Sequence, residues 1–228
     1  VGSNAVIVGK VEARLKVTLY ENIKFNQEDS GAEFILTQTE EDLGARKFNA
    51  VSSFKIEDGY VATLYEDADF AGRCAARVED VADLRTIKAG SWNMNDKPSS
   101  VKIEEFKGAV VYEDEDYTGL SDYYEGGSKV AGFENKCVKD TSSGPISVSQ
   151  ITSIKVAPGY IAILYEDVDF NGLETPETET DCDDAKVECI TESISNLEDF
   201  NDKASSIRVV KIDNQPVPEE LPPGVQEA

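Results

Sequence analysis

The sequence predicts an all-β fold made of antiparallel sandwiches, and three features carry this prediction. Apolar and polar residues alternate over short runs such as residues 17–20 and 101–103, which is the two-residue period of strands with one buried face. Gly, Asp and Asn interrupt these runs at short intervals, as turn residues do. No comparable stretch shows a helical period. The 228 residues can form one large domain or two ordinary ones.

An internal repeat then divides the chain. Residues 59–67 (GYVATLYED) recur as residues 159–167 (GYIAILYED). The tyrosines that open a Tyr-Glu-Asp or Tyr-Glu-Asn string number four: Tyr20, Tyr65, Tyr112 and Tyr165. We therefore predict two domains of two repeats each, over residues 11–106 and 107–213. The Pro-rich remainder, residues 214–228, is predicted to be a disordered tail.

Each repeated tyrosine begins a hairpin motif, Tyr-x-x-x-x-aromatic-x-Gly. The three complete copies are Tyr65 with Phe70 and Gly72, Tyr112 with Tyr117 and Gly119, and Tyr165 with Phe170 and Gly172. The first copy has Gln27 in place of the glycine, with Gly31 only after extra residues, so a longer hairpin is expected there. Glycine permits a positive φ that a Cβ opposes. The aromatic pairs are expected to pack in the core across each fold.

The charge of the chain excludes several classes of function. There are 22 Lys and Arg against 45 Asp and Glu, a net charge of −23, and no His. Such a surface does not suit nucleic acid, because affinity for phosphates comes from cationic side chains. Membrane insertion is not expected, since no apolar run is long enough to cross a bilayer. The absence of His removes Ser-His-Asp and Cys-His catalysis and His-ligated zinc. An acid surplus does suit a hard cation such as Ca²⁺.

A second repeated string stands near the end of each half. Residues 95–100 (NDKPSS) and 201–206 (NDKASS) are each followed by an alternating strand. Together with the four hairpins in register, this (Asn/Asp)-(Asn/Asp)-x-x-(Ser/Thr)-Ser pattern resembles the calcium-binding βγ-crystallin family, over about residues 15–212. The resemblance implies two Greek-key sandwich domains. Each would have two four-stranded sheets packed as a wedge and two calcium sites at one end.

The resemblance also implies how a calcium site is built. A backbone carbonyl after the hairpin tyrosine would join groups of the same repeat's Asn-Asp loop and the hydroxyl of the partner repeat's Ser or Thr. The two better sites on this chain are then Glu66, Asp96, Lys97 and Ser52 in the first domain, and Glu166, Asp202, Lys203 and Thr152 in the second. The two lysines would ligate through their carbonyls only. Oxygen ligands of this kind fit Ca²⁺.

The other two repeats depart from the pattern. The first has Phe48 where Asn or Asp is expected, and the third, residues 148–153, lacks both acidic or amide positions. Two sites are therefore expected to be weaker or empty, those built on Glu21 with Ser99 and on Glu113 with Ser205. The alternative for all these loops is a turn that hydrogen-bonds to itself through its Asn and Ser side chains.

Two other patterns say less. Residues 167–172 (DVDFNG) match the opening of an EF-hand loop, but Thr178 stands at the twelfth position and the flanks are predicted strands, so an EF-hand is not expected. The four cysteines have no CxxC spacing. Cys182 and Cys189 either close a short loop or stay reduced, which leaves the compartment open; secretion is slightly favoured over the cytoplasm.

The sequence thus predicts a non-enzymatic structural protein that binds calcium ions and is stabilised by them. The alternative is a secreted recognition module, an inhibitor, toxin component or adhesin, in which calcium serves as scaffold. An acidic-site hydrolase would need a deep cleft with two convergent carboxylates, and the sequence singles out no such pair. It leaves the protein partner unknown.

Overall fold

The computed structural model of the chain describes residues 16–48, 50–133, 151–172, 182 and 185–212. The strands, in chain order, are β1 (Val17–Tyr20), β2 (Glu33–Leu36), β3 (Ser53–Ile56), β4 (Tyr60–Asp67), β5 (Ala71–Arg77), β6 (Lys88–Ala89), β7 (Trp92–Asn93), β8 (Ser100–Glu105), β9 (Gly108–Tyr112), β10 (Ser121–Glu125), β11 (Lys129–Val130), β12 (Ser153–Val156), β13 (Tyr160–Tyr165), β14 (Val187–Ile190) and β15 (Ser206–Lys211). In these ranges the only other regular elements are short 3₁₀ turns. The predicted all-β fold is confirmed. The predicted tail lies outside the described residues.

In the first half of the chain, which contains β1 to β8, each repeat contributes three strands to one sheet. A short fourth segment of each repeat pairs with the other sheet. β1 lies between β2 and β3, and β4 lies between β5 and β8, all antiparallel. The isolated bridges Glu40↔Val101 and Phe54↔Val81 join each crossing segment to the last strand of the partner repeat. This exchange is the Greek-key arrangement that the motifs predicted. It ties the two repeats together.

The second half repeats the scheme. β9 lies between β10 and β12, and β13 lies between β14 and β15. The crossing segments are β11, which pairs with β15, and the bridge Ile154↔Ile194. Each half has its own apolar cluster, with Leu19, Phe54 and Leu64 fully buried in the first and Ile154 and Leu164 fully buried in the second. Each such side chain contributes about 1.5–3 kcal/mol by burial.

The four hairpins turn through an unfavourable backbone conformation. Their aromatic residues have φ values of 60°, 57°, 61° and 57° at Phe25, Phe70, Tyr117 and Phe170. A left-handed conformation costs an L-residue roughly 1–2 kcal/mol. Each ring packs edge-on against its repeat's tyrosine, with centroids 5.5–5.7 Å apart. The predicted aromatic pairing is thus present in all four repeats.

A fully buried serine holds each hairpin in this shape. The four serines are Ser53, Ser100, Ser153 and Ser206. Each hydroxyl donates to a hairpin carbonyl at 2.6–2.8 Å, at Asn22, Asp67, Asp114 and Asp167 respectively. It also accepts the backbone N–H of the left-handed aromatic residue at 3.0–3.2 Å. The last residue of the Asx-Asx-x-x-(Ser/Thr)-Ser string therefore belongs to the hairpin.

The incomplete first motif forms a longer hairpin, as its sequence predicted. β1 and β2 are separated by residues 21–32, whereas β4 and β5 are separated by residues 68–70. Gly72 has a φ of +76°, and a Cβ there would lie 2.5 Å from the Asp67 carboxylate. A Cβ on Gly31 would lie 2.5 Å from the Asn22 side chain. Gly31 thus replaces the missing glycine in space after the inserted residues.

The two halves share one sheet, which the sequence did not predict. β5 and β10 pair in parallel through Ala75↔Ser121, so a six-stranded sheet runs in the order β12-β9-β10-β5-β4-β8. Arg77, only 2% exposed, donates to the Gly119 carbonyl at 2.5 Å and to the Ser121 hydroxyl. Its guanidinium carbon lies 5.1 Å from the centre of the Tyr112 ring. One buried arginine therefore joins the halves.

The segment between the two halves, residues 105–107, is held in place by the side chain of Tyr123. The Tyr123 hydroxyl donates to the Glu105 carbonyl and accepts the Lys107 N–H, both at 3.1 Å. Burial raises the pKa of Tyr123 to about 12. The hydroxyl is therefore protonated and able to donate at neutral pH. The Lys155 ammonium, from the second half, also lies 2.6 Å from a Glu79 carboxylate oxygen of the first.

Removing a hairpin serine should destabilise the fold. Ser100→Ala leaves the Asp67 carbonyl and the Phe70 N–H without their buried partner, so we expect a loss of about 1–3 kcal/mol in the free energy of unfolding. Urea denaturation measures this loss. Ser91→Ala, at an exposed hairpin tip, is the matched control and should stay within ~0.5 kcal/mol. Equal midpoints for the two variants would contradict this role.

Replacing Arg77 should separate the unfolding of the two halves. Arg77→Met keeps an apolar stem but removes the hydrogen bonds to Gly119 and Ser121. Calorimetry should show one two-state transition for the parent and a broadened or split transition for the variant. Arg85→Met removes the same charge from an exposed ion pair with Asp83 and should leave one transition. A single unshifted transition in Arg77→Met would refute the coupling.

Candidate metal centre

In the first half, the Asn-Asp loop of one repeat docks on the Ser position of the other. The Asp96 N–H donates to the Val51 carbonyl at 2.9 Å, and the Ser52 hydroxyl donates to Asp96 Oδ1 at 3.2 Å. Asp96 has a φ of 56°, a left-handed conformation that Asp tolerates in turns. Ser52 is buried and Asp96 exposed. The structure therefore brings together the two residues that the sequence paired.

The second half forms a related contact with a different partner. The Asp202 N–H donates to the Ile151 carbonyl at 3.2 Å, and Asp202 has a φ of 58°. The Thr152 hydroxyl, however, donates to Asn201 Oδ1 at 2.9 Å. Thr152 thus contacts the first residue of the loop string, whereas Ser52 contacts the second. Asn201 was absent from the expected ligands, although its place as the first Asx of the motif could have identified it.

The hairpin glutamates are placed by four equivalent backbone bonds. The Ser or Thr N–H donates to the carbonyl of the hairpin tyrosine of its own repeat, at 2.7–3.0 Å. The glutamate that follows each tyrosine is therefore one residue away from a backbone bond to the Ser or Thr of its own repeat: Glu21 with Ser52, Glu66 with Ser99, Glu113 with Thr152 and Glu166 with Ser205. These backbone bonds link Glu21 to Ser52 and Glu113 to Thr152 through the neighbouring tyrosines. The ligand sets expected from the sequence stay a prediction.

The two lysines lie in the turn of each loop. The Lys97 N–H donates to the Met94 carbonyl at 3.1 Å, and the Lys203 N–H donates to the Phe200 carbonyl at 3.2 Å. The Ser99 hydroxyl donates to the Lys97 carbonyl at 3.4 Å. Both side chains are exposed. Their carbonyls are the oxygens they bring to the loops.

The side-chain oxygen of Asn95, the residue before Asp96, is buried without a donor. Asn95 Oδ1 has no hydrogen-bond partner within the described part of the chain. The Asn95 amide nitrogen donates to Asp96 Oδ2 at 2.7 Å, which fixes the orientation of the amide. An unsatisfied buried acceptor costs about 1–3 kcal/mol. The Asp96 carboxylate and the Ser52 hydroxyl are in contact, and Asn95 on the adjoining position carries a further oxygen; these are oxygen groups of the kind that Ca²⁺ prefers.

Carboxylates are sparse in this arrangement. Within the described ranges, no three His, Cys, Asp or Glu side chains form a metal-ligating group. Glu113, beside Thr152, is half-buried, and desolvation raises its pKa, although the Leu120 N–H that donates to its carboxylate counteracts the rise. The loops therefore offer a mixed set of amide, hydroxyl, carbonyl and carboxylate oxygens.

Trp92 lies beside this loop, half-buried against the first core cluster. Its indole N–H donates to Glu66 Oε1 at 3.1 Å, and the Arg73 guanidinium carbon lies 5.0 Å from the ring centre. The contact with Glu66 also occupies one oxygen of that carboxylate.

The structure also shows what the EF-hand-like string and the paired cysteines form. Residues Val168–Gly172, inside the EF-hand-like string, form a 3₁₀ turn that closely follows β13. Cys182 and Cys189 form a disulfide with a Cα–Cα distance of 5.6 Å, which decides a pairing that the sequence left open. Among the residues described here, no helix is sufficiently long and apolar to cross a bilayer.

Comparisons with known proteins identify relatives of this architecture. The sequence profile of "Peptidase inhibitor family I36" matches residues 63–124. A double mutant of a βγ-crystallin domain from Clostridium beijerinckii is 30% identical, with 39% of this chain and 94% of that chain covered and a TM-score of 0.31. A βγ-crystallin domain from Flavobacterium johnsoniae is 28% identical, covering 47% and 98%, with a TM-score of 0.34. No curated protein matches.

A longer alignment is found with Protein S complexed with calcium. That solution structure is 20% identical, with 86% of this chain and 99% of that chain covered and a TM-score of 0.39. Family membership rests on sequence rather than on these TM-scores. The 30% identity extends over nearly the whole Clostridium domain, and the hairpin and serine strings recur in register. The chain belongs to the βγ-crystallin family.

Proposed function

We propose that the protein is a non-enzymatic structural protein of two domains, 11–106 and 107–213, whose fold is stabilised by bound Ca²⁺. The observation that carries this proposal is the contact between the Ser52 hydroxyl and Asp96 Oδ1, which joins the loop of one repeat to the Ser position of the other; Asn95, next to Asp96, has a buried amide oxygen without a donor. A cation at this contact would bind the Asp96 carboxylate and the Ser52 hydroxyl oxygen, and a small turn of the Asn95 amide would add its oxygen. Water offers a weaker alternative, because it does not balance the carboxylate charge.

The stronger site of the first half would use Asn95, Asp96 and Ser52, with the Glu21 carbonyl beside them. Ser52 donates its proton to Asp96, so the lone pairs of its oxygen stay available for a cation. Asp96 supplies the negative charge. Lys97 would contribute only its carbonyl.

The corresponding site of the second half would use Thr152, Asn201 and Asp202 with Glu113, and the Lys203 carbonyl. The Thr152 hydroxyl contacts the neutral Asn201 amide, whereas Ser52 contacts the Asp96 carboxylate, so the charged group of the second loop is not fixed beside its hydroxyl. We infer that this site is the weaker of the two. The sites on Glu66 with Ser99 and on Glu166 with Ser205 would depend on the loops of the first and third repeats, whose sequences depart from the Asx-Asx pattern, and we expect them to be weaker still.

Calcium would stabilise the protein by mass action. A ligand that binds only the native state adds RT ln(1 + [L]/Kd), which is about 2.7 kcal/mol at a concentration 100 times the Kd. The net charge of −23 adds to this effect, since a bound divalent cation reduces the repulsion among carboxylates. Stabilisation and binding are therefore measurable together.

The first test is thermal unfolding with and without calcium. Saturating Ca²⁺ should raise the midpoint of the parent by roughly 5–10 °C over chelator. Asp96→Ala should lose the larger part of that rise, and Asp96→Ala with Asp202→Ala should lose nearly all of it, because both carboxylates are gone.

The matched control is Asp58→Ala. Asp58 is exposed in the turn at the opposite end of β3 from Ser52, so its loss changes the net charge equally without touching the loops. It should keep the full rise. Equal midpoints in calcium and chelator for the parent would reject the proposal, and an equal rise in Asp58→Ala and Asp96→Ala would reject these ligands.

A second candidate function is peptidase inhibition outside the cell. The match to the inhibitor family supports it; the matched residues run from β4 to β10 and include the junction of the two halves. The Cys182–Cys189 disulfide supports a secreted location, since disulfides persist in oxidising compartments. In this role calcium would stiffen the scaffold that presents the inhibitory surface.

Titration against purified endopeptidases of the metallo, serine and cysteine classes tests this second function. We expect stoichiometric inhibition of at least one class, reduced by Asp96→Ala when calcium is limiting. No inhibition of any class by the calcium-loaded chain at micromolar concentration would refute it.

A further inference from the structure

We propose that Trp92 is a positioning residue for the first calcium site: its indole N–H, bonded to Glu66, holds the Asn95-Asp96 loop in the shape that binds the ion. This inference rests on the proposed calcium function. It concerns a side chain outside the Asx-Asx-x-x-(Ser/Thr)-Ser string and explains a difference between the two halves of the chain.

The loop is fastened at both of its ends to the same point on β4. At its start, Trp92 Nε1 donates to Glu66 Oε1 at 3.1 Å. At its end, the Ser99 N–H donates to the Tyr65 carbonyl at 2.8 Å. Tyr65 and Glu66 are consecutive residues of β4, so the two bonds hold the start and the end of the loop close to the same part of this strand.

Two further contacts restrain the start of the loop. The Arg73 guanidinium on β5 covers the Trp92 ring at 5.0 Å, which favours one orientation of the indole. The fully buried Met94 donates its N–H to the Ile87 carbonyl at 2.9 Å. Asn95 follows directly. A loop ordered before the ion arrives loses less conformational entropy on binding, and this raises affinity.

The second half provides an internal comparison. The end of its loop is fastened in the same way, by the Ser205 N–H on the Tyr165 carbonyl at 2.7 Å. Three residues before Asn201, however, stands Glu198 in the position of Trp92. A glutamate carboxylate cannot donate to Glu166 as the indole donates to Glu66. The start of the first loop is therefore held by a hydrogen bond from the indole N–H, and Glu198 cannot form the corresponding bond in the second.

The test uses the full chain carrying Asp202→Ala, so that calorimetry reports the first site. In this background, Trp92→Phe keeps an aromatic ring and removes only the N–H. We expect the Kd for Ca²⁺ to rise roughly tenfold, as the loss of a hydrogen bond to a charged group implies. Glu66→Ala should raise the Kd similarly, and the double variant should add little, because both changes break one bond. Glu66→Gln keeps a hydrogen-bond acceptor, so it should raise the Kd for Ca²⁺ less than Glu66→Ala does.

A second measurement separates positioning from general stability. Thermal unfolding in chelator reports the metal-free fold of each variant. A lower midpoint in chelator with an unchanged Kd would make Trp92 structural only and overturn the inference. So would additive effects of Trp92→Phe and Glu66→Ala on the Kd. If the parent itself takes up no calcium, the proposed function fails and this inference fails with it; parental binding with identical titrations in Trp92→Phe refutes this inference alone.

Discussion

The buried serine hydroxyl at each hairpin is the interaction on which the rest of the molecule depends. Two consecutive left-handed residues occur in every hairpin, and such backbone is unfavourable for residues with a Cβ. Ser53, Ser100, Ser153 and Ser206 offset that strain by bonding to both sides of the turn. Because each serine also begins the last strand of its repeat, it fixes the hairpin and the strand start to one another. The residue just before it, Ser52 or Thr152 in the better sites, is thereby set beside the loop.

The six-residue string therefore has two separate roles. The hydroxyl of its last serine both donates to and accepts from the hairpin backbone. Its Asx side chains and the hydroxyl of its fifth residue do not bond to the hairpin and form the candidate site. In the second half these outer groups are satisfied by each other, as Thr152 and Asn201 show. In the first half one oxygen of Asn95 is left over. A loop can keep its shape by self-bonding or hold an ion, and the balance between the two differs between the halves.

Local patterns made most of the fold predictable. The alternation of residues, the tyrosine hairpins and the Ser-Ser strings are read within a few neighbouring positions, and each appears in the structure where the sequence placed it. The contact between Ser52 and Asp96 was predicted, but the bond that joins the Ser52 N–H to the Tyr20 carbonyl, next to Glu21, was not, because it depends on how the strands pair. Arg77 gave no signal either. In the run Cys74-Ala75-Ala76-Arg77 it resembles a surface residue at the end of a strand, and only the parallel contact with β10 buries it.

The sheet shared by the two halves has a consequence for association between molecules. A sheet edge presents unpaired backbone groups that can recruit another chain. Pairing β5 with β10 covers two such edges with each other, so this sheet ends only at β8 and β12. Copies that each carry −23 charges also repel one another. In this sheet, internal duplication therefore reduces the edge open to strand addition, since each half shields part of an edge of the other.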